Sequence, residues 1–312
     1  MFDVSDTNFA DVVANKFDLL VCASGYEARA RYISKQMLKA QRGFPEKRIV
    51  LKFQDHSGEP QRKLNDRFFA DQRFEPYYYD DSRYGEFFQL LAERTKSAAE
   101  RIRLLVDYTS MRRTQYAEII HFLRNVASEK LVEATFVYAV GKHGKTVDPK
   151  IISDYTLMPG FEGLTNSQRD KFAIYNLGFE PIILHSLHEW LEPARAVAIY
   201  AEPGVHKGSG QKCLRINRKF LEQVDCKVVG TSLYSVHNYV RLFKEIAKVE
   251  AVDNDLVFVS AGPKPFTLGS MLGCSEIVSA SMVYAHGISR EPKSIEPFGQ
   301  VVATNVKRVI DD

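Results

Sequence analysis

The stretch LLVDYTSMRRTQYAEIIHFLR, residues 104–124, passes from an apolar run through a short polar turn into a helical pattern. The apolar run ends at Asp107, and apolar residues then recur at the 3.6-residue spacing of an amphipathic helix, at Tyr116, Ile119, Ile120 and Leu123. A strand followed at once by a helix is the building block of parallel sheets. This stretch therefore predicts one strand–helix unit of an α/β fold.

Similar units recur along the whole chain. Strands are predicted at 18–23, 48–53, 76–80, 102–108 and 133–140, and again at 196–201, 227–232, 256–261 and 279–285. Helices are predicted near 26–40, 60–71, 83–99, 111–127, 210–223 and 234–250. The alternation predicts an α/β protein of two Rossmann-like halves with mainly parallel sheets.

The order of the units suggests two domains. Prolines and glycines interrupt the pattern between about 145 and 194. We therefore expect an N-terminal Rossmann-like domain at 1–150, a connecting segment at 151–193 and a C-terminal Rossmann-like domain at 194–312. The connecting segment contains FAIYNLGFEP, a candidate extra strand or cross-brace. The halves also contain the similar hexapeptides FVYAVG (136–141) and MVYAHG (282–287), which suggests duplication.

Composition narrows the class of protein. The 312 residues are 45% hydrophobic and 26% charged, with a formal net charge of +3, as in globular proteins without a strong bulk attraction to nucleic acid. The four cysteines form no CxxC pair, and the acidic N-terminus and the lack of a long apolar run predict neither a signal peptide nor a membrane span. We expect a cytoplasmic protein. His185 and His188 have no third ligand nearby in the sequence, so no metal site is predicted, and no cofactor can be named.

Two arginines stand at an unusual place in the opening stretch. Thr109 or Ser110 can cap the helix, and Arg112 and Arg113 follow in its first turn, where the helix dipole disfavours positive charge. Something negative should lie close by. It is either Asp107, which would pair with one arginine, or an anionic ligand whose oxygens the guanidinium groups would bind.

The first predicted strand ends in a comparable turn, CASGYEARARY. Ser24 and Gly25 form the turn, and Glu27 and Arg29 enter the next helix. Free backbone amides beside a glycine can hold a phosphate. The alternative needs no ligand: Ser24 caps the helix and Glu27 completes a capping box.

A third turn, in VFVSAGPKPFTLGSML, repeats the pattern in the second half of the chain. Gly262 closes a strand, and Lys264 lies between two prolines at the start of the next helix. The alternative is a stiff structural turn with an exposed lysine. Because three turns at strand ends offer hydroxyls or glycine, and two also offer cations, a shared phosphate-bearing ligand is favoured over three coincidences.

Arg62, Asn65 and Arg67 lie on a predicted helix and are expected on its solvated face.

The opening stretch resembles a known family. Its strand ends in Asp-x-Thr, polar residues follow, and a cation stands at the helix start, as in the CRISPR-associated Rossmann-fold (CARF) sensors. That family binds cyclic oligonucleotides in a cleft above its sheet, commonly across a homodimer. The resemblance implies that a nucleotide or cyclic oligonucleotide is the ligand and that a second copy or another protein is a partner. The contacts that it implies are Ser24, Gly25, Thr109, Ser110 and Arg112.

These observations predict an intracellular protein that binds a nucleotide or another phosphorylated ligand, and the resemblance to the CARF sensors implies a sensor or effector in prokaryotic antiviral defence. The predicted ligand-binding residues are Ser24, Gly25, Arg29, Thr109, Ser110, Arg112, Arg113, Gly262 and Lys264. The alternative is a hydrolase that cleaves a nucleotide or an N-glycosidic bond. Its candidate acid and base are Glu27 and Asp107, since paired carboxylates commonly break such bonds.

Overall fold

The computed structural model of the protein describes residues 1–40, 44–53, 57–96, 101–125, 131–142, 151–166, 168–288 and 294–309. The chain forms two compact units. The first combines Met1–Gly144 with Pro292–Asp312, and the second is Lys145–Glu291. Each unit has one mainly parallel sheet, so the predicted α/β class with two such sheets is confirmed.

The strands and helices are labelled in chain order. The strands are β1 (Phe2–Thr7), β2 (Leu19–Ala23), β3 (Lys47–Lys52), β4 (Glu75–Tyr78), β5 (Arg101–Asp107), β6 (Leu131–Gly141), β7 (Ile151–Leu157), β8 (Asp170–Asn176), β9 (Arg195–Ala201), β10 (Lys227–Thr231), β11 (Asn254–Ser260), β12 (Ala280–Ile288) and β13 (Pro297–Arg308). The α-helices are α1 (Phe9–Ala14), α2 (Tyr32–Ala40), α3 (Pro60–Asp71), α4 (Glu86–Lys96), α5 (Arg113–Asn125), α6 (Pro181–Leu191), α7 (Ser209–Ile216), α8 (Arg218–Val224), α9 (Val236–Glu250) and α10 (Lys264–Cys274).

The sheet of the first unit has the order β1-β13-β6-β5-β2-β3-β4. Strands β2 to β6 pair in parallel, whereas β13 pairs antiparallel with both β6 and β1. All five residues of β2 are buried, as expected of a parallel strand covered by helices on both faces. The chain builds β3 and β4 on one side of β2 and then crosses to β5 on the other side, so its direction reverses between β2 and β5.

The sheet of the second unit repeats this plan. Its order is β10-β9-β8-β11-β12-β7, with parallel pairing except between β7 and β12. The chain direction reverses between β8 and β11, which correspond to β2 and β5 of the first unit. The similar hexapeptides 136–141 and 282–287 lie in β6 and β12, which occupy equivalent positions. The topology therefore supports the internal similarity seen in the sequence.

The expected domain boundaries differ from those of the structure. The segment 151–193 does not merely connect two domains, because it supplies β7, β8 and α6 to the second unit. Residues 297–308, expected in the second domain, form β13 of the first sheet. The reason is strand pairing: β6 needs a partner on its outer edge, and β13 provides that partner with Gly141 opposite Pro297.

Most predicted elements occur with shifts of one to three residues. The helix predicted at 210–223 is divided into α7 and α8 at Asn217, and α10 begins at Lys264, where a helix start was expected. No strand or helix was predicted for β1, α1, β7, α6 and β13. The segment FAIYNLGFEP contains most of β8, a central strand. The last residues of the helices predicted at 83–99 and 111–127 lie outside the described residues. Within the described ranges, no helix is both long enough and apolar enough to cross a lipid bilayer.

Candidate functional site

The loops that follow β2 and β5 meet at the carboxyl edge of the first sheet. Gly25 follows β2 and lies so close to Ser110 that a Cβ atom added to Gly25 would be 2.9 Å from the Ser110 Cβ. Side chains essentially never approach that closely, so only glycine fits here without movement. Ligands of open α/β sheets bind where the strand order reverses, and β2 and β5 flank such a point. Two of the predicted turns therefore lie together where this fold class places its ligands.

Asp107 shapes the loop after β5. Its side chain is buried, and its Oδ1 accepts the backbone N–H of Thr109 at 3.0 Å. The Thr109 hydroxyl oxygen accepts the backbone N–H of Ala139, in β6, at 2.9 Å. Burial raises the pKa of the adjacent Cys22 thiol, and the charge of Asp107 raises it further. Asp107 thus forms an Asx-turn that holds the loop against its neighbouring strand.

Helix α5 begins at Arg113, so Arg112 occupies the position before it. The Gln115 side chain accepts the backbone N–H of Arg112 at 2.9 Å, which is one half of a capping box. This bond satisfies a helix-start donor that Thr109 or Ser110 was expected to bind. The Nε of Arg113 is buried and has no hydrogen-bond partner among the described residues.

Arg112 lies next to a negatively charged side chain of the same chain, Asp81. The guanidinium group of Arg112 pairs with the Asp81 carboxylate, which lies in a short 3-10 helix. The hydroxyl of Thr114 donates to the same carboxylate at 2.6 Å. An acid from this chain therefore offsets the charge that the helix dipole disfavours. Only 29% of the Arg112 side chain is exposed.

Phe53 brings a second arginine to the same place. It directly follows β3, and the guanidinium carbons of Arg62 and Arg112 lie 4.7 and 4.6 Å from its ring centroid. Both distances are in the range of cation–π contacts. Two like charges at one ring repel each other, so negative charge nearby is needed to hold them. Asp81 provides some of it to Arg112, and Asp66 lies 3.2 Å from the Nε of Arg62.

Several buried donors at this edge are unpaired within the described ranges. They are the hydroxyls of Ser24 and Ser110 and the Nη1 of Arg62. Ser24 is fully buried and Arg62 is 1% exposed. Each such group costs about 1–3 kcal/mol when no acceptor satisfies it. Since all three can donate a hydrogen bond, together they suit a negatively charged acceptor.

Helix α3 joins these donors to the loop after β2. The Asn65 amide donates to the carbonyl oxygens of Gly25 and Glu27, each at 2.8 Å, and Arg62 lies one turn earlier on the same helix. The expectation that Arg62 and Asn65 face solvent is wrong, because both are buried. Arg67 does face solvent, with 83% of its side chain exposed.

Glu27 and Arg29 bind each other. The Nε of Arg29 lies 2.5 Å from the Glu27 carboxylate, and its Nη1 donates to the Tyr138 hydroxyl at 2.8 Å and to the Ala139 carbonyl at 3.0 Å. Burial would lower the pKa of Arg29, but Tyr138 and Glu27 raise it above its ordinary value. Because Glu27 pairs with Arg29 and the Ser24 hydroxyl is unpaired in the described structure, a capping box does not describe this turn. Arg29 anchors the turn to β6.

Gly262 and Lys264 lie in the second unit, at its corresponding strand ends. A Cβ on Gly262 would be 2.9 Å from the Asn176 Cβ, at the end of β8, so the loop after β11 packs tightly on β8. Asn176 also accepts a 2.6 Å hydrogen bond from the buried Tyr239 hydroxyl. Lys264 is the first residue of α10 and is half-buried. The structure thus places these two residues at the equivalent edge of the other sheet.

Comparison with known proteins gives a likeness of fold. No protein-family model matches the chain, and no curated protein matches its sequence. Among solved structures, the chain is similar to a Type III CRISPR defence DNA nuclease that is activated by cyclic oligoadenylate, with a TM-score of 0.54 and 9% identity. The match covers 85% of this chain and 65% of the nuclease chain, so this chain spans about two thirds of that length. At this identity the likeness concerns the fold alone.

Two further matches have lower TM-scores. The cytoplasmic domain of a prokaryotic cation chloride cotransporter has a TM-score of 0.27 at 10% identity, covering 87% of this chain and 95% of that one. A putative universal stress protein from Pseudomonas aeruginosa UCBPP-PA14 has a TM-score of 0.27 at 8% identity, covering 87% and 94%. These scores are too low to support an argument about fold or site.

Proposed function

We propose that the protein binds a nucleotide or another phosphorylated ligand at the carboxyl edge of the first sheet. The proposed contacts are Ser24, Gly25, Arg62, Thr109, Ser110, Arg112 and Arg113. We further propose that it works in the prokaryotic cytoplasm as a sensor or effector of antiviral defence and that its ligand is a cyclic oligonucleotide. Gly262 and Lys264 are proposed contacts at the equivalent edge of the second unit.

One observation carries the proposal. Buried donors from three elements, the Ser24 and Ser110 hydroxyls and the Arg62 guanidinium group, are unpaired in the described structure and gather at the point where the strand order reverses. Guanidinium groups bind phosphate oxygens with directed hydrogen bonds. The fold likeness to a nuclease activated by cyclic oligoadenylate supports the choice of ligand class.

Isothermal titration calorimetry with cyclic tetra-adenylate, cyclic hexa-adenylate and ATP tests the proposal. A lost charge-assisted hydrogen bond costs about 1.5–3 kcal/mol. R112Q should therefore lower the affinity for whichever ligand binds by about tenfold or more. Arg67→Gln is the matched control, because Arg67 is an exposed arginine of α3. Thermal melting of both variants monitors folding. An absence of binding to the whole panel, or equal affinity in R112Q, would contradict the proposal.

The same mixtures test the hydrolase alternative. Chromatography after incubation would reveal a released base or a shortened oligonucleotide if Glu27 and Asp107 act as acid and base. Loss of product in E27Q with binding retained would support cleavage. An intact ligand after prolonged incubation with the binding-competent protein would instead leave the role of a sensor.

A further inference from the structure

A cavity of about 370 Å³ lies at the amino-terminal edge of the first sheet, the edge opposite to the site described above. Leu19, Lys47 and Glu75, which line it, are the first residues of the parallel strands β2, β3 and β4. The other lining residues are Glu46, Arg48, Ile49, Arg73, Glu93 and Arg94. Small-molecule pockets have volumes of about 300–1,000 Å³, so this cavity suits a small ligand.

Arg48 is held in a fixed position in the cavity wall. Its guanidinium carbon lies 4.9 Å from the ring centroid of Phe44 and 5.7 Å from that of Phe74. Its Nη1 donates to the Pro45 carbonyl at 2.8 Å, whereas its Nε is buried with no hydrogen-bond partner among the described residues. Two aromatic rings therefore orient a guanidinium group that has one donor still to satisfy.

Arg73 adds a second positive charge to the same cavity. Burial lowers the pKa of Arg48, and the charge of Arg73 lowers it further, while Glu46 acts in the opposite direction. Arg48 and Arg73 line the same cavity, so one anion bound there would face both positive charges. Within the described part of the chain, neither arginine has a carboxylate at ion-pair distance.

The carboxylates of the cavity do not remove this excess charge. Glu75 pairs with Arg94, so these two lining residues neutralise each other. Glu46 and Glu93 are exposed, as is Arg73, so water screens the charges of all three. The apolar side chains of Leu19 and Ile49 are buried beneath. Among the described lining residues, Arg48 is the one charged residue that is not exposed, and the four cationic lining residues outnumber the three acidic ones.

We propose that this cavity is a second anion-binding site, in which Arg48 and Arg73 bind the phosphate group of a small phosphorylated metabolite. A phosphate presents several oxygens to the two guanidinium groups at once, which a chloride ion does not. The site is separate from the carboxyl edge of the sheet, and it does not depend on the proposed nucleotide-binding function.

Calorimetry with inorganic phosphate and with AMP tests this site in the full-length protein. Titration in an R112Q background limits binding at the carboxyl edge. In this R112Q variant, a second substitution, either R73N or R48Q, should raise the dissociation constant for phosphate at least tenfold. Arg73 is exposed and has a left-handed backbone (φ 55°), a conformation that asparagine adopts readily, so R73N should fold normally. Addition of R67Q, at an exposed arginine of α3, should change nothing.

The outcomes separate the two sites. If R112Q protein binds no phosphate or AMP at millimolar concentration, or binds equally well after addition of R73N, the second site is refuted. If R73N weakens phosphate binding in the wild-type background, the second site stands. Any affinity for cyclic oligonucleotides should then be unchanged, because that affinity belongs to the carboxyl edge. Equal losses of phosphate binding in R73N and R67Q would indicate general surface attraction and would also refute the proposal.

Discussion

Arg112 stands before α5, where positive charge is disfavoured, and Asp81 offers it a carboxylate from the same chain. A ligand phosphate would present the same chemistry to the guanidinium group. Asp81 and an anionic ligand should therefore compete for Arg112, and the acid would keep the arginine in place until a ligand binds.

Asp81→Asn tests this competition. Removal of the carboxylate charge should increase the affinity for an anionic ligand severalfold, because Arg112 no longer has to exchange one negative partner for another. Calorimetry with the ligand identified for the wild-type protein measures the change. Asp71→Asn, at an exposed carboxylate of α3, is the control. A weaker affinity in D81N than in D71N would mean that Asp81 positions Arg112 for binding rather than competing.

Glu118 is a buried carboxylate that the sequence places on the apolar side of α5. Its Oε1 accepts the backbone N–H groups of Gly85 and Phe88 at 2.8 and 2.9 Å, and its Oε2 accepts the Tyr79 hydroxyl at 3.0 Å. Burial raises the pKa of Tyr79, and the charge of Glu118 raises it further. Glu118 therefore satisfies donors at the start of α4.

Glu118→Gln should destabilise the protein. The glutamine amide has the same shape, but its NH₂ group cannot accept hydrogen bonds, so one end of this network loses its acceptor. A loss of about 1–3 kcal/mol in the free energy of unfolding is expected, and urea denaturation measures it. Glu86→Gln, an exposed change in the first turn of α4, provides the comparison. Equal stability of the two variants would contradict this role for Glu118.

His188 should make the stability of the protein depend on pH. Burial lowers its pKa, His185 lowers it further, and Glu189 opposes the shift. The folded state binds the proton of His188 less readily than the unfolded state does. The stability that neutral His188 contributes is therefore complete above the unfolded pKa of about 6.5 and is lost as the pH falls below it. The melting temperature should therefore drop between pH 7.5 and 5.5, and H188Q should reduce that drop. A drop of unchanged size in H188Q would exclude this residue as the cause.

At the scale of elements, α3 shows how far sequence reasoning reached. Its expected range of 60–71 agrees with Pro60–Asp71, because proline marks the start and the apolar spacing marks the length. Its buried face was missed because that face carries Arg62 and Asn65 beside Phe69. Polar residues are predicted to face solvent unless their partners are known, and Gly25, the partner of Asn65, is 40 residues away in sequence.

The same limit applies to the candidate site. The turns after β2 and β5 were predicted because a polar turn after a buried strand is a local pattern. The roles of Phe53 and Asp81 depend on strand order, which brings β3 and the segment before α4 beside the β5 loop, and no local pattern carries that information.

Asn65→Ala tests the link between α3 and the β2 loop. The change removes two hydrogen bonds to backbone carbonyl groups, so it should cost about 1–3 kcal/mol of unfolding free energy and loosen the loop. Hydrogen exchange of the amides near Gly25 should become faster, while exchange in the second unit is unchanged. Protection near Gly25 equal to that of the wild-type protein would show that other contacts hold this loop.

At the scale of the whole molecule, the second unit is inserted into a hairpin of the first. Gly141 of β6 is paired with Pro297 of β13, so the chain leaves and re-enters the first sheet at adjacent positions. The second unit is continuous, and its outer residues Ile151 and Ile288 are also paired. Adjacent ends are what an inserted domain requires.

This arrangement predicts which fragments fold. Residues 145–291 should fold alone, whereas residues 1–150 should aggregate, because without β13 the edge of β6 is unpaired and β1 has no neighbour. Joining residue 144 to residue 292 through a short Gly-Ser linker should restore β13 and give a monomeric first unit, since the paired ends already lie together. Circular dichroism and size-exclusion chromatography distinguish these outcomes. A folded, monomeric 1–150 fragment would show that β13 is dispensable, and the hairpin would then be an accessory rather than a part of the first unit.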